Sequence, residues 1–476
     1  MRNRSSEGGC VGLFREYDLR GIVGSELTED LAERLGRAFS TYVGRRGVTT
    51  ISVGRDGRLS SPALHKALVK GLLAGGLDVI DIGVCPSPLV YFSLFTLPVG
   101  GGIMITGSHN AAEYNGFKIC VGKTAIHGKE IQELRRVMEE GVFVSGNGHL
   151  SEHPIIPDYL AYIKKSFSHV HANRLQVVID SGNGAASLVA KQALELLGCQ
   201  VTGLYCDLDG RFPHHHPDPT VLENLSDLMR AVKDHGADVG IGYDGDADRI
   251  GAVDEQGHVL WGDRLLVLYS RDILATKPGS TIISEVKASQ SLYDDITKRG
   301  GRAIMWKTGH SLIKAKMKEE AAVLAGEMSG HMFFADRYFG YDDAVYASCR
   351  LVEILAKAHR PLSALVSDLP PSVVTPEIRV DLPDAVKFDV VERIRQRFTE
   401  YLKAKQGLGP RKLALQNLIT IDGVRAIFDD GWGLVRASNT QPALVLRFEA
   451  TSSAQLHVIR ALIEDELAVA KRSVGC

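Results

Sequence analysis

Paired cysteines, an excess of basic charge and an N-terminal apolar run are all missing from this chain. Its seven cysteines (10, 85, 120, 199, 206, 349 and 476) are scattered and form no CxxC pair. That usage fits a reducing compartment better than a disulfide framework. The formal net charge of -2 leaves no electrostatic footprint for nucleic acid or an anionic membrane surface. The opening MRNRSSEGGC has no apolar core, so no secretory leader is expected and a cytoplasmic location is. Residues 82–108 lack Asp, Glu, Lys and Arg, a length that could span a bilayer. Pro86, Pro88, Pro98 and Gly100-Gly101-Gly102 interrupt that stretch, and buried strand and turn are expected there instead.

What is present is ordinary for a soluble globular protein: 45% hydrophobic and 24% charged residues. With 476 residues the chain is too long for one core, so several domains are expected. Three successive regions alternate apolar strand-like runs with helix-like stretches. ISVGRD (51–56), DVIDIG (78–83) and GGIMITGS (101–108) read as strands of the first, with an amphipathic helix near 61–75. LQVVIDSGNGAA (175–186), CQVTGLY (199–205) and ADVGIGYDGD (237–246) mark the second; TIISEV (281–286), AIMWKTGH (303–310) and AVLAGEMSGH (322–331) mark the third. Such alternation predicts α/β layers on a largely parallel sheet, with ligands gathered where strands open into loops. After Leu369-Pro370-Pro371-Ser372 the pattern changes to adjacent strands and two long helices, an α+β region with an antiparallel sheet. The expected divisions are 1–155, 156–258, 259–370 and 371–476.

Four Gly-punctuated segments carry the chemistry. In Asp244-Gly245-Asp246-Ala247-Asp248-Arg249, three carboxylates at alternate positions repel one another, and a divalent cation relieves them; hard oxygen ligands point to Mg²⁺ or Mn²⁺. Glu255 completes a formal EF-hand spacing, but Arg249 stands where that loop needs glycine, and both flanks read as strands. Gly240-x-Gly242-x-x-Gly245 is formally a dinucleotide fingerprint, yet no helix opens there and the acidic residues would repel a pyrophosphate. Ser108 ends an apolar strand among His109, Asn110, Tyr114, Asn115 and Lys118, a costly set of polar groups for a mere cap. As no Gly-x-Ser-x-Gly elbow surrounds it, phosphoryl chemistry suits it better than acyl transfer. Glu327, Ser329 and His331 alternate; on a strand they would share one face and could read adjacent sugar hydroxyls. Arg436, Ser438, Asn439 and Thr440 match the needs of a phosphate dianion. His214-His215-His216, flanked by prolines, reads as a structural loop, since consecutive side chains diverge.

In this order these segments resemble the α-D-phosphohexomutase superfamily. The resemblance runs from Phe14-Arg15-Glu16-Tyr17-Asp18-Leu19-Arg20-Gly21 through Phe212-Pro213-His214-His215-His216-Pro217-Asp218-Pro219 to Arg436-Ala437-Ser438-Asn439-Thr440-Gln441-Pro442. The sugar loop, with Met328 where phosphoglucosamine mutases typically have Gln, is similar to that of the phosphomannomutase/phosphoglucomutase group. Ala111 and Ala247 depart from the proline and glycine usual in the family, and neither removes a ligand.

The resemblance implies three similar α/β mixed-sheet domains plus a smaller C-terminal α+β domain around a central cleft. It implies interconversion of hexose 1- and 6-phosphates, of mannose or glucose, through phospho-Ser108 and a hexose 1,6-bisphosphate. Mg²⁺ would be held by Asp244, Asp246, Asp248 and an oxygen of phospho-Ser108. Arg20, Lys118 and Arg249 would neutralise the phosphoryl group in transit. His310 and His331, or Lys118, would move the proton. Glu327 and Ser329, with Lys287, would read the sugar, Tyr17 would line the cleft entrance, and Arg436, Ser438, Asn439 and Thr440 would clamp the other phosphate. A serine phosphatase is the enzymatic alternative, but it has no need of a distal clamp; a cation- or sugar-phosphate-binding protein has no need of the nucleophile. No heptad stands out, and a monomer is expected.

Overall fold

Apolar runs such as Gly101–Ile105 and Val239–Tyr243 become strands buried over their whole length. This is the fate of strands covered on both faces. The computed structural model describes residues 13–404, 407–408, 413–439 and 441–475. The chain divides into two compact units, one of residues 1–283, 296–303 and 309–367, the other of residues 284–295, 304–308 and 368–476.

In the first unit, one sheet runs in the order Leu19–Ile22, Tyr114–Val121, Gly101–Ile105, Thr50–Arg55, Asp78–Val84, Leu150–Glu152. Its inner pairs are parallel, but Tyr114–Val121 runs antiparallel to Gly101–Ile105 and to Leu19–Ile22. A second sheet runs Val259–Leu260, Ile250–Asp254, Val239–Tyr243, Gln176–Asp180, Gln200–Leu204, with Ile250–Asp254 antiparallel to Val239–Tyr243. The sheets are therefore mixed rather than largely parallel. Each reactive loop is the tight return between two antiparallel neighbours, where no crossover helix intervenes. A third sheet includes the antiparallel pair Leu324–Gly326 and Met332–Phe334. Helices Glu29–Gly44 and Ser61–Ala74 close the first core with Leu35, Phe39, Leu68 and Leu72, each buried. Burial of each such side chain contributes about 1.5–3 kcal/mol.

The uncharged stretch 82–108 departs from expectation. It holds the α-helix Ser87–Thr96 between strands Asp78–Val84 and Gly101–Ile105. Pro86 and Pro88 start this helix rather than break it, because first-turn residues have no intrahelical acceptor for their N–H groups. Among the described residues no helix is long and apolar enough to cross a membrane.

The helix Ala344–Ala358 is capped by Asp343, whose side chain accepts the Tyr346 N–H, and its Ala344 N–H reaches Ala247 O at 3.2 Å. Farther along it, Glu353 receives Arg337 Nη2, Lys357 Nζ at 2.8 Å and His169 Nε2 at 2.8 Å. Burial raises the Glu353 pKa, but these donors outweigh it and bring it down to about 2. A depressed carboxyl stabilises the fold above its unfolded pKa and loses that contribution as pH falls through the folded one. Glu353→Gln is accordingly expected to lower thermal stability at pH 6 and to match the parent near pH 2. Melting curves across pH check this; an equal deficit at both ends would assign the loss to packing.

In the second unit the sheet runs Val373–Val374, Ala443–Ala450, Gly431–Ala437, Val424–Phe428, Leu415–Ile419, with Ile378–Asp381 on Ala443–Ala450. Every pair is antiparallel. Helices Asp384–Ala404 and Ser453–Ser473 supply Val390, Ile394, Phe398, Ile459 and Ile463 to its core.

Candidate active site

Ser108 lies three residues past the strand Gly101–Ile105 with φ +49°, a left-handed conformation that lifts its side chain out of the strand path. The buried Arg58 enforces this geometry. Its Nη1 donates to Ala111 O (2.6 Å) and Tyr114 O (2.9 Å), and its Nη2 to Ser108 O (2.7 Å) and Asn110 O (2.6 Å). Its Nε pairs with Asp56, whose other contacts include the Gly107 N–H. Five guanidinium donors are thus spent on carbonyls of the serine loop and one carboxylate beneath it. Ser108 Oγ donates to Asp244 Oδ2 at 3.0 Å and lies 3.2 Å from His109 Nδ1. Burial, then the Arg249 and Arg20 charges, hold the His109 ring well below the usual histidine range and so neutral.

The acidic loop turns between Val239–Tyr243 and Ile250–Asp254, so both of its ends are fixed by strand pairing. Gly245 permits its approach to the serine: a Cβ there would lie 2.4 Å from Ser108 O. Asp244, Asp246 and Asp248 are fully buried, and one oxygen of each lies within 4.8 Å of the others. Asp244 Oδ1 is satisfied by the backbone N–H groups of Asp248 and Arg249. Lys118 Nζ bridges Asp246 Oδ2 (2.6 Å) and Asp248 Oδ2 (2.5 Å). Ser87, at the start of the unforeseen helix, donates its Oγ to Asp246 Oδ2 (2.5 Å) and its N–H to Asp246 O (2.9 Å).

The balance of charge in this loop is uneven. Burial, then repulsion from Asp248 and Asp246, pushes the Asp244 carboxyl well above the usual range. Burial pushes Asp246 and Asp248 the same way, but Lys118 outweighs it for both, aided by Ser87 on Asp246 and His331 on Asp248. Asp246 Oδ1 is buried without a hydrogen-bond partner, and Asp248 Oδ1 has only the His331 ring at 3.2 Å. A buried carboxylate oxygen left so costs free energy that a hard cation recovers. The residues present therefore fit a divalent ion.

The sugar-loop residues are not on a strand. Glu327 to Gly330 form the return between Leu324–Gly326 and Met332–Phe334, because Glu327 N–H pairs back to His331 O at 2.9 Å. The side chains converge by folding over this turn instead of alternating. His331 Nδ1 meets Glu327 Oε2 at 2.9 Å and Ser329 Oγ at 3.0 Å. The Arg249–His331 bridge and the bond from Ile250 N–H to Gly330 O (3.0 Å) tie this loop to the acidic one. Burial lowers the His331 pKa, but Asp248 and Glu327 outweigh it and raise it to about 9. His310 opens the helix His310–Glu320, stacks on His331 with ring centroids 5.6 Å apart and meets Tyr17 edge-on at 5.8 Å. Burial and the Lys314 charge keep the His310 ring well below the usual range. Arg20 holds Asn110 Oδ1 (2.9 Å) and Asp18 (2.5 Å). Tyr17 is buried, against the backbone of Gly309.

Lys287, Arg436, Ser438 and Asn439 belong to the second unit, and Thr440 lies outside the described residues. Arg436, on strand Gly431–Ala437, is buried and its Nε donates to Asp422 Oδ2 at 3.1 Å. Lys387 Nζ pins the loop from below through Ser438 O (2.5 Å) and Gln441 O (2.9 Å). Lys287 Nζ pairs with Glu377 at 3.0 Å.

Sequence reading overlooked Arg58, Ser87, Asp342 and Asp422. Asp342 is buried, holds Lys314 Nζ at 2.8 Å and lies 3.7 Å from His310 and 3.9 Å from His331. Its group with Asp248 and His331 is the one other His/Asp set among the described residues that is close enough to share an ion. The triple histidine behaves as a structural loop: His215 pairs with Asp180, and His214 stacks on Tyr205 at 4.0 Å.

Four family models described as phosphoglucomutase/phosphomannomutase match the chain in order: alpha/beta/alpha domain I at residues 11–144, domain II at 157–257, domain III at 261–373 and the C-terminal domain at 377–466. A phosphomannomutase/phosphoglucomutase of Pseudomonas aeruginosa is 44% identical over 457 residues, covering 96% of each chain. A phosphoglucomutase of Neisseria meningitidis is 42% identical over 94% of this chain and 95% of its own. A crystal structure of a phosphoglucomutase/phosphomannomutase family protein from Burkholderia thailandensis superposes with a TM-score of 0.88 at 40% identity, covering 97% of this chain and 98% of that one. The chain belongs to the phosphoglucomutase/phosphomannomutase family of the α-D-phosphohexomutase superfamily.

Proposed function

We propose that this protein interconverts hexose 1-phosphates and hexose 6-phosphates, of mannose or glucose, through a phosphorylated Ser108 and a hexose 1,6-bisphosphate. One observation carries the reading most: the Ser108 hydroxyl sits 3.0 Å from Asp244, in an acidic loop whose Asp246 Oδ1 is buried and unpartnered. A nucleophile beside a prepared cation site is the minimum equipment for phosphoryl transfer.

Asp244, Asp246, Asp248 and an oxygen of phospho-Ser108 would hold Mg²⁺. When bound, that ion supplies a Lewis acid for the phosphoryl oxygens. In the forward half-reaction the bond between phosphorus and Ser108 Oγ breaks, and a new bond forms to the free sugar hydroxyl. The proton of that hydroxyl passes to an imidazole. Lys118 is poorly placed for that task, being committed to two buried carboxylates that hold it charged. His310, whose ring is held neutral, can accept the proton; His331, with its pKa raised to about 9, is charged near neutral pH and suits proton donation, Glu327 fixing its Nδ1 so that Nε2 faces the acidic loop. Arg20, Lys118 and Arg249 offset charge on the group in transit. The bisphosphate then reorients, its other phosphate passes to Ser108 Oγ as the bond between that phosphorus and the sugar oxygen breaks, and the imidazole returns the proton to the released oxygen.

Arg436, Ser438, Asn439 and Thr440 hold whichever phosphate is not reacting, while Glu327, Ser329 and Lys287 read the sugar. Arg436→Ala is expected to raise KM by about one to two orders of magnitude with a smaller change in kcat, as loss of a charge-assisted hydrogen bond costs about 1.5–3 kcal/mol. Steady-state kinetics check this, and an unchanged KM removes Arg436 from the clamp. The covalent step is tested by incubating the protein with hexose 1,6-bisphosphate labelled in its phosphates. Label recovered on Ser108 supports the reading; an unlabelled serine with full turnover overturns it.

A further inference from the structure

Asp422 places a carboxylate beside the arginine proposed to grip a dianion. Negative charge there works against the ligand, so its presence needs a reason. Its Oδ2 accepts Arg436 Nε at 3.1 Å and the Thr308 N–H at 2.9 Å, and the side chain is 14% exposed. The turn that carries it is held tightly against the arginine. Gly423 has φ +81°, and a Cβ there would lie 2.5 Å from Val435 O and 2.6 Å from Arg436 Cβ. The network continues: Thr308 Oγ1 donates to Glu285 Oε2 at 2.9 Å, and that same oxygen accepts the Lys287 N–H at 2.7 Å. An unbroken series of hydrogen bonds thus leads from Arg436 to the backbone of Lys287.

Guanidinium is planar, and its bidentate grip on phosphate depends on the plane being correctly turned. A carboxylate on Nε, itself fixed by a backbone N–H, sets that plane. We propose that Asp422 is a positioning residue, which presents Arg436 to the non-reacting phosphate. This rests on the clamp reading of Arg436.

The test is a double-mutant cycle read by steady-state kinetics on a hexose 1-phosphate with Mg²⁺. Asp422→Asn keeps an acceptor for the Thr308 N–H and removes the charge that holds Nε. It is expected to raise KM by roughly 5- to 20-fold while kcat stays within about threefold of the parent. In the Arg436→Ala background the same change is expected to add nothing to KM, because its effect acts through the arginine. An unchanged or lowered KM in Asp422→Asn overturns the inference, the lowered value marking a carboxylate that only tempers phosphate affinity. A KM increase that persists undiminished in the Arg436→Ala background also overturns it, and leaves the clamp reading standing. Arg436→Ala with the parent KM removes the clamp reading itself. Asp422→Ala, with melting temperatures for every variant, separates loss of fold from loss of positioning: parent-like melting with raised KM supports the inference, and a KM increase found only in variants with lowered melting overturns it.

Discussion

Replacing Ser108 with alanine is expected to lower kcat by at least ~1,000-fold, since removal of a nucleophile eliminates the covalent route altogether. The fold should survive. Arg58 grips the loop through the carbonyls of Ser108, Asn110, Ala111 and Tyr114, and none of these bonds uses the serine hydroxyl. The strained backbone at Ser108, φ +49°, is imposed by that grip and is no harder for alanine than for serine. What is lost is the hydrogen bond to Asp244, a carboxyl already crowded by its neighbours, and the 3.2 Å contact with His109 Nδ1. Melting temperature should therefore change by no more than a few degrees, in line with about 1 kcal/mol for each hydrogen bond lost. Initial-rate measurements alongside thermal melts check both halves. Turnover at the parent rate would remove the phosphoserine from the mechanism.

Lys118→Met is expected to produce the largest loss of stability of any single change at the site, and to respond to magnesium. The ammonium group sits 2.6 Å from Asp246 and 2.5 Å from Asp248, all three side chains being buried. Removing one partner of a buried ion pair leaves charge uncompensated and costs about 3–5 kcal/mol. Both carboxylates hold the lysine charged far above its ordinary pKa, so this contribution persists throughout the neutral range. A divalent ion binding the same carboxylates supplies the missing positive charge. The variant should melt well below the parent in chelator and recover part of the difference in millimolar Mg²⁺, by mass action on the native state. Its turnover should remain severely reduced, as a fixed cation near the transferring group is gone. Parent-like melting in chelator would show that the acidic loop does not depend on Lys118 for charge balance.

The candidate loops were legible because the residue types they bring together are local in sequence. Three aspartates at alternate positions mark a candidate cation site without any knowledge of the fold, and glycines beside them mark tight returns. The direction of the strands was harder. A largely parallel sheet follows from strand–helix alternation, but Tyr114–Val121 and Ile250–Asp254 turn back directly, with no helix between them and their neighbours. Ser87 escaped notice because two prolines in an apolar stretch suggest a broken chain, whereas here they begin a helix aimed at Asp246. Arg58 and Asp422 escaped for a different reason. The serine-loop partners of Arg58 lie 50–56 residues away, and Asp422 meets Arg436 and Thr308 across 14 and 114 residues, so no spacing rule connects them. Convergence of Glu327, Ser329 and His331 was anticipated through the wrong geometry: a turn, not a strand face, brings them together.

The measurement that bears most directly on the proposed reaction is a pair of coupled assays, one with mannose 1-phosphate and one with glucose 1-phosphate. Each contains Mg²⁺ and a trace of the matching hexose 1,6-bisphosphate, and each is followed for both sugar 6-phosphate and inorganic phosphate. The expected result is formation of the 6-phosphate from at least one sugar with no net release of inorganic phosphate. Release of inorganic phosphate without any 6-phosphate would contradict it, and would make this serine and its acidic loop a phosphatase centre instead.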